Sequence, residues 1–282
     1  MGPTSMIGNK KMKSVLWQAL KQPQRMWTKC SRGYVGPWRK VSKMNHEKLI
    51  KSFEQFADRM FTVAEGKDSE VIKVCPGWNV NDLMAHVGRI YGAVTSVIES
   101  KSIERPTTPF PTPPESSQRE WAMSNFSSLL EAIKQTDPDT PLWTWGKDQK
   151  MRFFIRRMAH ETLLHMRDVE SIDGEFFEVD GDVACDGIDE YIDGALQHSM
   201  NPNKEFTYPD GSIHLHRTDG KGEWLIKPFG NKIVVTHEHA KGDVAVRGSA
   251  LALLLFLWGR NPQGLEIFGE PDLAQAWGSL AP

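Results

Sequence analysis

Glu161 and His165 stand four residues apart in the stretch RRMAHETLLHMRDVE, and His86 lies far upstream in LMAHVGRIYG. On a helix, residues four apart stack on one face. Phe154, Met158 and Val169 fall on the same stripe as this pair, which is therefore the face expected to be buried. His86 shares a second apolar stripe with Leu83, Ile90, Val94 and Val97. A carboxylate and two imidazoles on inward helix faces are costly to bury without a partner. A divalent metal would satisfy all three. Two histidines and one glutamate leave a fourth position of a zinc ion open, the layout of a catalytic rather than a structural site.

Plainer arrangements answer the same spacing. An inward histidine can bond to backbone, and Glu161 can simply pair with His165. The string His160-Glu161 also resembles the start of the H-E-x-x-H motif, but Leu164 occupies the position of its second histidine. At 3.6 residues per turn, His160 and His165 point about 140° apart, so His160 is expected to face outward. A protease of that type is not expected.

Two further histidine pairs lie downstream, His214 with His216 in SIHLHRT and His237 with His239 in VVTHEHA. On strands, residues two apart share a face, so adjacent H-x-H pairs can bind a metal. They equally describe the solvent face of a half-exposed sheet, which is the ordinary expectation. Cys30, Cys75 and Cys185 show no C-x-x-C spacing, which argues against a disulfide framework or a thiolate zinc site and fits a cytoplasmic chain.

The elements that must position these groups follow from the hydrophobic pattern. Leu49, Ile50, Phe53, Phe56, Met60 and Phe61 recur at helical spacing between Met44 and Ala64. After Pro76-Gly77, Asn79 or Asn81 can cap a second helix running to about Ser100. The proline-dense RPTTPFPTPPESS excludes regular structure. A third helix follows from Ser116 or Ser117, with Trp121, Phe126, Leu129, Leu130 and Ile133 as its buried stripe. A fourth covers about Met151 to Ile172. Residues 44–173 thus read as a four-helix bundle. Beyond Gly174 come a helix through Tyr191, Ile192 and Leu196, then alternating runs SIHLHRT, GEWLIKPF and NKIVVTHEHA, expected as antiparallel hairpin strands. An apolar helix at Leu251–Leu257, a short strand LEIFG and a helix at Asp272–Trp277 finish an α+β domain over residues 174–282.

Composition narrows the partners. A chain of 282 residues with 39% hydrophobic and 25% charged residues has room for two modest globular domains. Its longest apolar run, SALALLLFLWG, is about half of what a membrane span needs. The net charge of -2 hides an asymmetry, because residues 1–43 hold ten Lys or Arg and no Asp or Glu. The remaining residues carry 24 basic against 36 acidic side chains, so nucleic acid is not an expected partner of the folded part. The basic leader, with Trp17, Trp27 and Trp38, reads as a disordered extension or as residues preceding a true start at Met44. A transit segment or an anion-binding arm are the other readings.

Three segments together resemble one family. CPGWNVNDLMAHVGR is similar to the second-helix signature of the mycothiol-dependent maleylpyruvate isomerase family, within the DinB-like bundle superfamily. RRMAHETLLHMRDVE resembles its fourth-helix signature, and AVRGSALALLLFLWGR resembles the end of its C-terminal domain. The order and spacing match over most of residues 44–282, and residues 1–43 have no counterpart.

The resemblance implies a DinB-like four-helix bundle holding a divalent metal, usually zinc, on His86, Glu161 and His165. It also implies a smaller, sterol-carrier-like α+β C-terminal domain, with the metal near the domain cleft. By the same resemblance Arg260 would help to bind substrate carboxylates, although capping the carbonyls of its own helix is an equal alternative. Asp168, three residues after His165, can orient it, or serve as an ordinary salt-bridge partner. The implied chemistry activates mycothiol, or another low-molecular-weight thiol, for addition to a small electrophile, as in cis–trans isomerisation or thiol transfer. Cys75 is read as a packed loop residue that takes no part. The competing reading is a non-catalytic metal-containing bundle whose C-terminal domain binds an apolar ligand or a protein. The true substrate, the thiol, the metal and the oligomeric state are not legible in the sequence.

Overall fold

The computed structural model describes residues 45–197 and 207–281; the basic leader lies outside them. The described residues form two compact units, within 44–178 and 179–282.

The first unit is built from four long helices, α1 (His46–Ala64), α2 (Val80–Ser100), α3 (Gln118–Gln135) and α4 (Arg152–Glu170). Each start has a local cause. Asn45 caps α1 by accepting from Glu47 N, and Asn79 caps α2 in a reciprocal box with Asp82. Ser117 precedes α3 with φ 60° and makes no side-chain cap. Helix α1 packs on α4 and α2 packs on α3. Phe53, Tyr91 and Phe126 interlock edge-on or tilted at 5.0–6.0 Å between centroids, joining three of the helices through the core. On α3 only Ala122, Leu129 and Ile133 are fully buried; Trp121, Phe126 and Leu130 are half-buried.

Helix α4 departs from the amphipathic expectation. It is buried on every side from Met158 to Glu170. His160 is therefore fully buried, not outward as expected, because this stretch of α4 has no solvent-facing side. Its charged residues are matched in place. Glu170 accepts from Arg59 Nε at 2.8 Å, Arg167 Nη1 at 2.7 Å and Phe177 N at 2.9 Å, as buried carboxylates require.

The second unit begins with α5 (Gly181–Asp193) and continues with β1 (Ile213–Arg217), β2 (Glu223–Phe229), β3 (Lys232–Thr236) and β4 (Val244–Gly248). Then come α6 (Ala250–Leu257), β5 (Glu266–Gly269) and α7 (Pro271–Gly278). The sheet order is β3-β2-β1-β4-β5. All pairs are antiparallel except β1 with β4, which run parallel; the sheet is mixed rather than a run of hairpins. One face carries Ile213, Leu215, Trp224, Ile226, Val244 and Val246, all buried. α6 packs on α5 and touches β4 and β1, and Trp224 Nε1 donates to Asp189 of α5 at 2.6 Å. The opposite face carries His214, His216 and Glu223, set by the pairing of His216 with Glu223 and strand alternation. No helix among the described residues is long and apolar enough to cross a membrane.

Candidate metal centre

Helices α2 and α4 bring His86, Glu161 and His165 together, with one ligand atom from each within 4.8 Å of the others. Glu161 Oε1 stands 3.3 Å from His86 Nε2 and 3.3 Å from His165 Nε2. Its other oxygen, Oε2, accepts from Arg157 Nη2 at 2.8 Å. Hydrogen bonds between an imidazolium and a carboxylate ordinarily close to about 2.7–2.9 Å. The 3.3 Å contacts are longer than that, and their spacing is also about that of neighbouring donor atoms around a tetrahedral zinc with bonds near 2.0–2.1 Å. The donor set and its spacing therefore fit a divalent metal.

Around this trio, the outer contacts fix orientation. His165 Nδ1 donates to Asp168 Oδ2 at 3.0 Å, which turns Nε2 toward Glu161. The two helices are tied beside the site by Tyr91 and Thr162, whose hydroxyls are 2.7 Å apart. Trp78 lies against both imidazoles, its ring centroid 5.1 Å from that of His86 and 6.4 Å from that of His165, nearly parallel to the latter. A tight turn sets that indole. Trp78 N donates to Cys75 O at 3.0 Å, with Pro76 and Gly77 between them. Gly77 has φ 81°, the left-handed position that a type II turn gives to glycine. Cys75 is buried in this turn and outside any disulfide.

The electrostatics follow from crowding in a dry place. Burial alone would raise the Glu161 pKa, but Arg157 and the two imidazoles outweigh it and hold the carboxyl well below its usual range. Burial lowers the pKa of His86; its Glu161 hydrogen bond opposes this without restoring it, and nearby His165 adds to the lowering. Burial also works against the charged form of His165, yet hydrogen bonds to Asp168 and Glu161 prevail and raise it to about 9. The site thus pairs an ionised carboxylate with one neutral and one protonated imidazole at neutral pH.

Sequence reasoning passed over Arg157 and Trp78. Arg157 was readable as an i, i+4 partner of Glu161; the Trp78 placement depends on the turn. Arg260 lies in the second unit, past the end of α6, where its Nη1 donates to Trp258 O at 2.8 Å.

Residues 51–170 match the family profile described as the mycothiol maleylpyruvate isomerase N-terminal domain, and residues 182–276 match the profile of the MDMPI C-terminal domain. The chain belongs to the mycothiol-dependent maleylpyruvate isomerase family. Two solved structures share its fold. A mycothiol-dependent maleylpyruvate isomerase aligns with TM-score 0.53 at 16% identity, over 80% of this chain and 95% of its own. A histidine-to-alanine mutant of such an isomerase gives TM-score 0.55 at 15% identity and the same coverage. No curated protein matches the sequence. Both domains of the maleylpyruvate isomerase family are thus present in order, a helical unit followed by a small mixed sheet.

Proposed function

We propose that this family member is a metal- and thiol-dependent enzyme that adds a small thiol, mycothiol or a relative, to an electrophilic small molecule. The observation that carries the reading is the convergence of Glu161 Oε1 with the Nε2 atoms of His86 and His165 at 3.3 Å. Three donors leave one place of a four-coordinate ion for an outside ligand.

In this reading His86, Glu161 and His165 hold a divalent metal, with zinc suited to two imidazoles and a carboxylate. Such an ion, when bound, lowers the pKa of a thiol ligand and so supplies a nucleophilic thiolate at neutral pH. Arg157 holds Glu161 Oε2, so that Oε1 alone faces the imidazoles. Asp168 fixes the ring of His165 through Nδ1. Trp78 lies against both rings, stacked on that of His165 and tilted to that of His86.

With an alkene such as a cis enedione acid, thiolate adds to one alkene carbon and the electron pair moves to the conjugated carbonyl as an enolate. The new single bond rotates, the enolate re-forms the double bond as trans, and the C–S bond breaks to return the thiolate. Arg260 is proposed as the cation that meets substrate carboxylates, with its guanidinium anchored on Trp258 O.

The test is conversion of maleylpyruvate, followed spectroscopically, by zinc-loaded chain with and without mycothiol. Turnover that needs both zinc and thiol, and that Glu161→Ala abolishes, supports the reading. Zinc-loaded chain that neither turns over maleylpyruvate nor binds mycothiol in a calorimetric titration contradicts it.

A further inference from the structure

We propose a second divalent-metal site, in the C-terminal unit, formed by His214, His216, Glu223 and His239. The four residues offer ligand atoms that all lie within 4.8 Å of one another. They come from three separate stretches of chain. His214 and His216 alternate on one face of β1, and Glu223 opens β2 directly opposite His216. His239 follows the end of β3. The arrangement corrects the sequence expectation in two ways. His237 and His239 lie beyond the strand rather than on it, and His237 turns instead toward Trp224, 6.3 Å away between centroids.

Glu223 sits at the centre. Its Oε2 is 2.6 Å from His214 Nε2, and its Oε1 is 3.1 Å from His239 Nδ1. His216 Nδ1 lies 2.7 Å from Oε1, yet it makes no hydrogen bond, although the nitrogen itself is buried. A buried imidazole nitrogen without a hydrogen bond is a donor atom that a bound ion would satisfy. The three imidazole rings surround the carboxylate at centroid separations of 5.4–6.1 Å. A surface row of alternating polar residues would not converge in this way.

Three imidazoles and one carboxylate are the donor set of a borderline divalent ion such as zinc. Four protein ligands close a tetrahedral shell, so this site holds its metal structurally and leaves no position for a thiol. It ties the segment after β3 to the β1–β2 ladder. Gly242 keeps that segment close, because a Cβ there would meet His214 N at 3.0 Å and His214 Cβ at 3.2 Å.

The test is calorimetric titration of zinc chloride into metal-stripped full-length chain carrying His86→Ala and His165→Ala. These changes remove the bundle cluster, so the result does not depend on whether the bundle binds metal. About one equivalent of zinc is expected in that background. Its affinity should fall tenfold or more with His239→Ala, a substitution at a side chain 77% exposed that leaves folding intact. Adding Glu223→Gln should abolish the binding. No zinc bound in the bundle-site variant, or binding unchanged by His239→Ala and Glu223→Gln, would overturn the proposal.

Discussion

Asp168 holds His165 by its Nδ1 at 3.0 Å, one turn along the same helix and fully buried. The contact leaves Nε2 aimed at Glu161, so the ring is set before any ligand arrives. Such an outer carboxylate raises the basicity of the imidazole and fixes its tautomer. Asp168→Asn should therefore lower zinc affinity about 10–100-fold, measured by chelator competition, while circular dichroism stays that of the parent. An unchanged affinity would show that Asp168 serves the fold alone.

The protonation states give a second expectation. His86 is neutral and Glu161 ionised at neutral pH, whereas His165 keeps its proton up to about 9. Zinc must displace that one proton. Binding at the bundle site should thus release about one proton per zinc near neutral pH, and affinity should rise as pH climbs toward 9. Calorimetry in buffers of different ionisation enthalpy counts the proton, in a chain whose C-terminal cluster carries His214→Ala and His239→Ala. Release of none would mean that His165 is already neutral.

Without metal, the same proton stabilises the fold. The folded pKa of His165, about 9, lies above its ordinary 6.5. A raised pKa contributes stability that is fully present below about 6.5 and is lost as pH rises through 9. The urea midpoint of chelator-treated chain should fall between those two pH values, and Asp168→Asn should flatten the fall. A midpoint that rises over this range would contradict the assignment.

Packing between α2 and α3 rests on the absence of a side chain at Gly88. A Cβ there would meet the Trp121 ring at 2.7 Å and the Ala122 Cα at 3.0 Å. Because backbone lies behind the ring, the helices must separate to admit it. Gly88→Ala should destabilise the chain by about 1–3 kcal/mol despite its better helix propensity, read from chemical denaturation. A stabilised variant would show that α3 yields without cost.

How much of this was legible follows the range of the interactions. The bundle helices and the trio His86, Glu161 and His165 were readable because apolar residues such as Phe53, Leu83 and Phe154 repeat with the helical period. The burial of His160 was not, since a stripe argument assumes one wet face and α4 has none from Met158 to Glu170. Strand β4 was hidden because VAVRG runs straight into the apolar SALALLLFL, and helix and strand look alike in short apolar runs. Glu223 escaped notice for a different reason. Its place beside His216 depends on the β1–β2 register, which a single-residue slip would reverse.

The proposed open metal position on His86, Glu161 and His165 is tested most directly by cobalt(II)-substituted chain titrated with a small thiol. A thiolate-to-cobalt charge-transfer absorption should appear on adding thiol, vanish in His86→Ala, and persist in His214→Ala, where only the closed C-terminal cluster is disturbed. A cobalt-loaded parent whose spectrum ignores the thiol, or a thiol-dependent band that survives His86→Ala, would contradict the assignment.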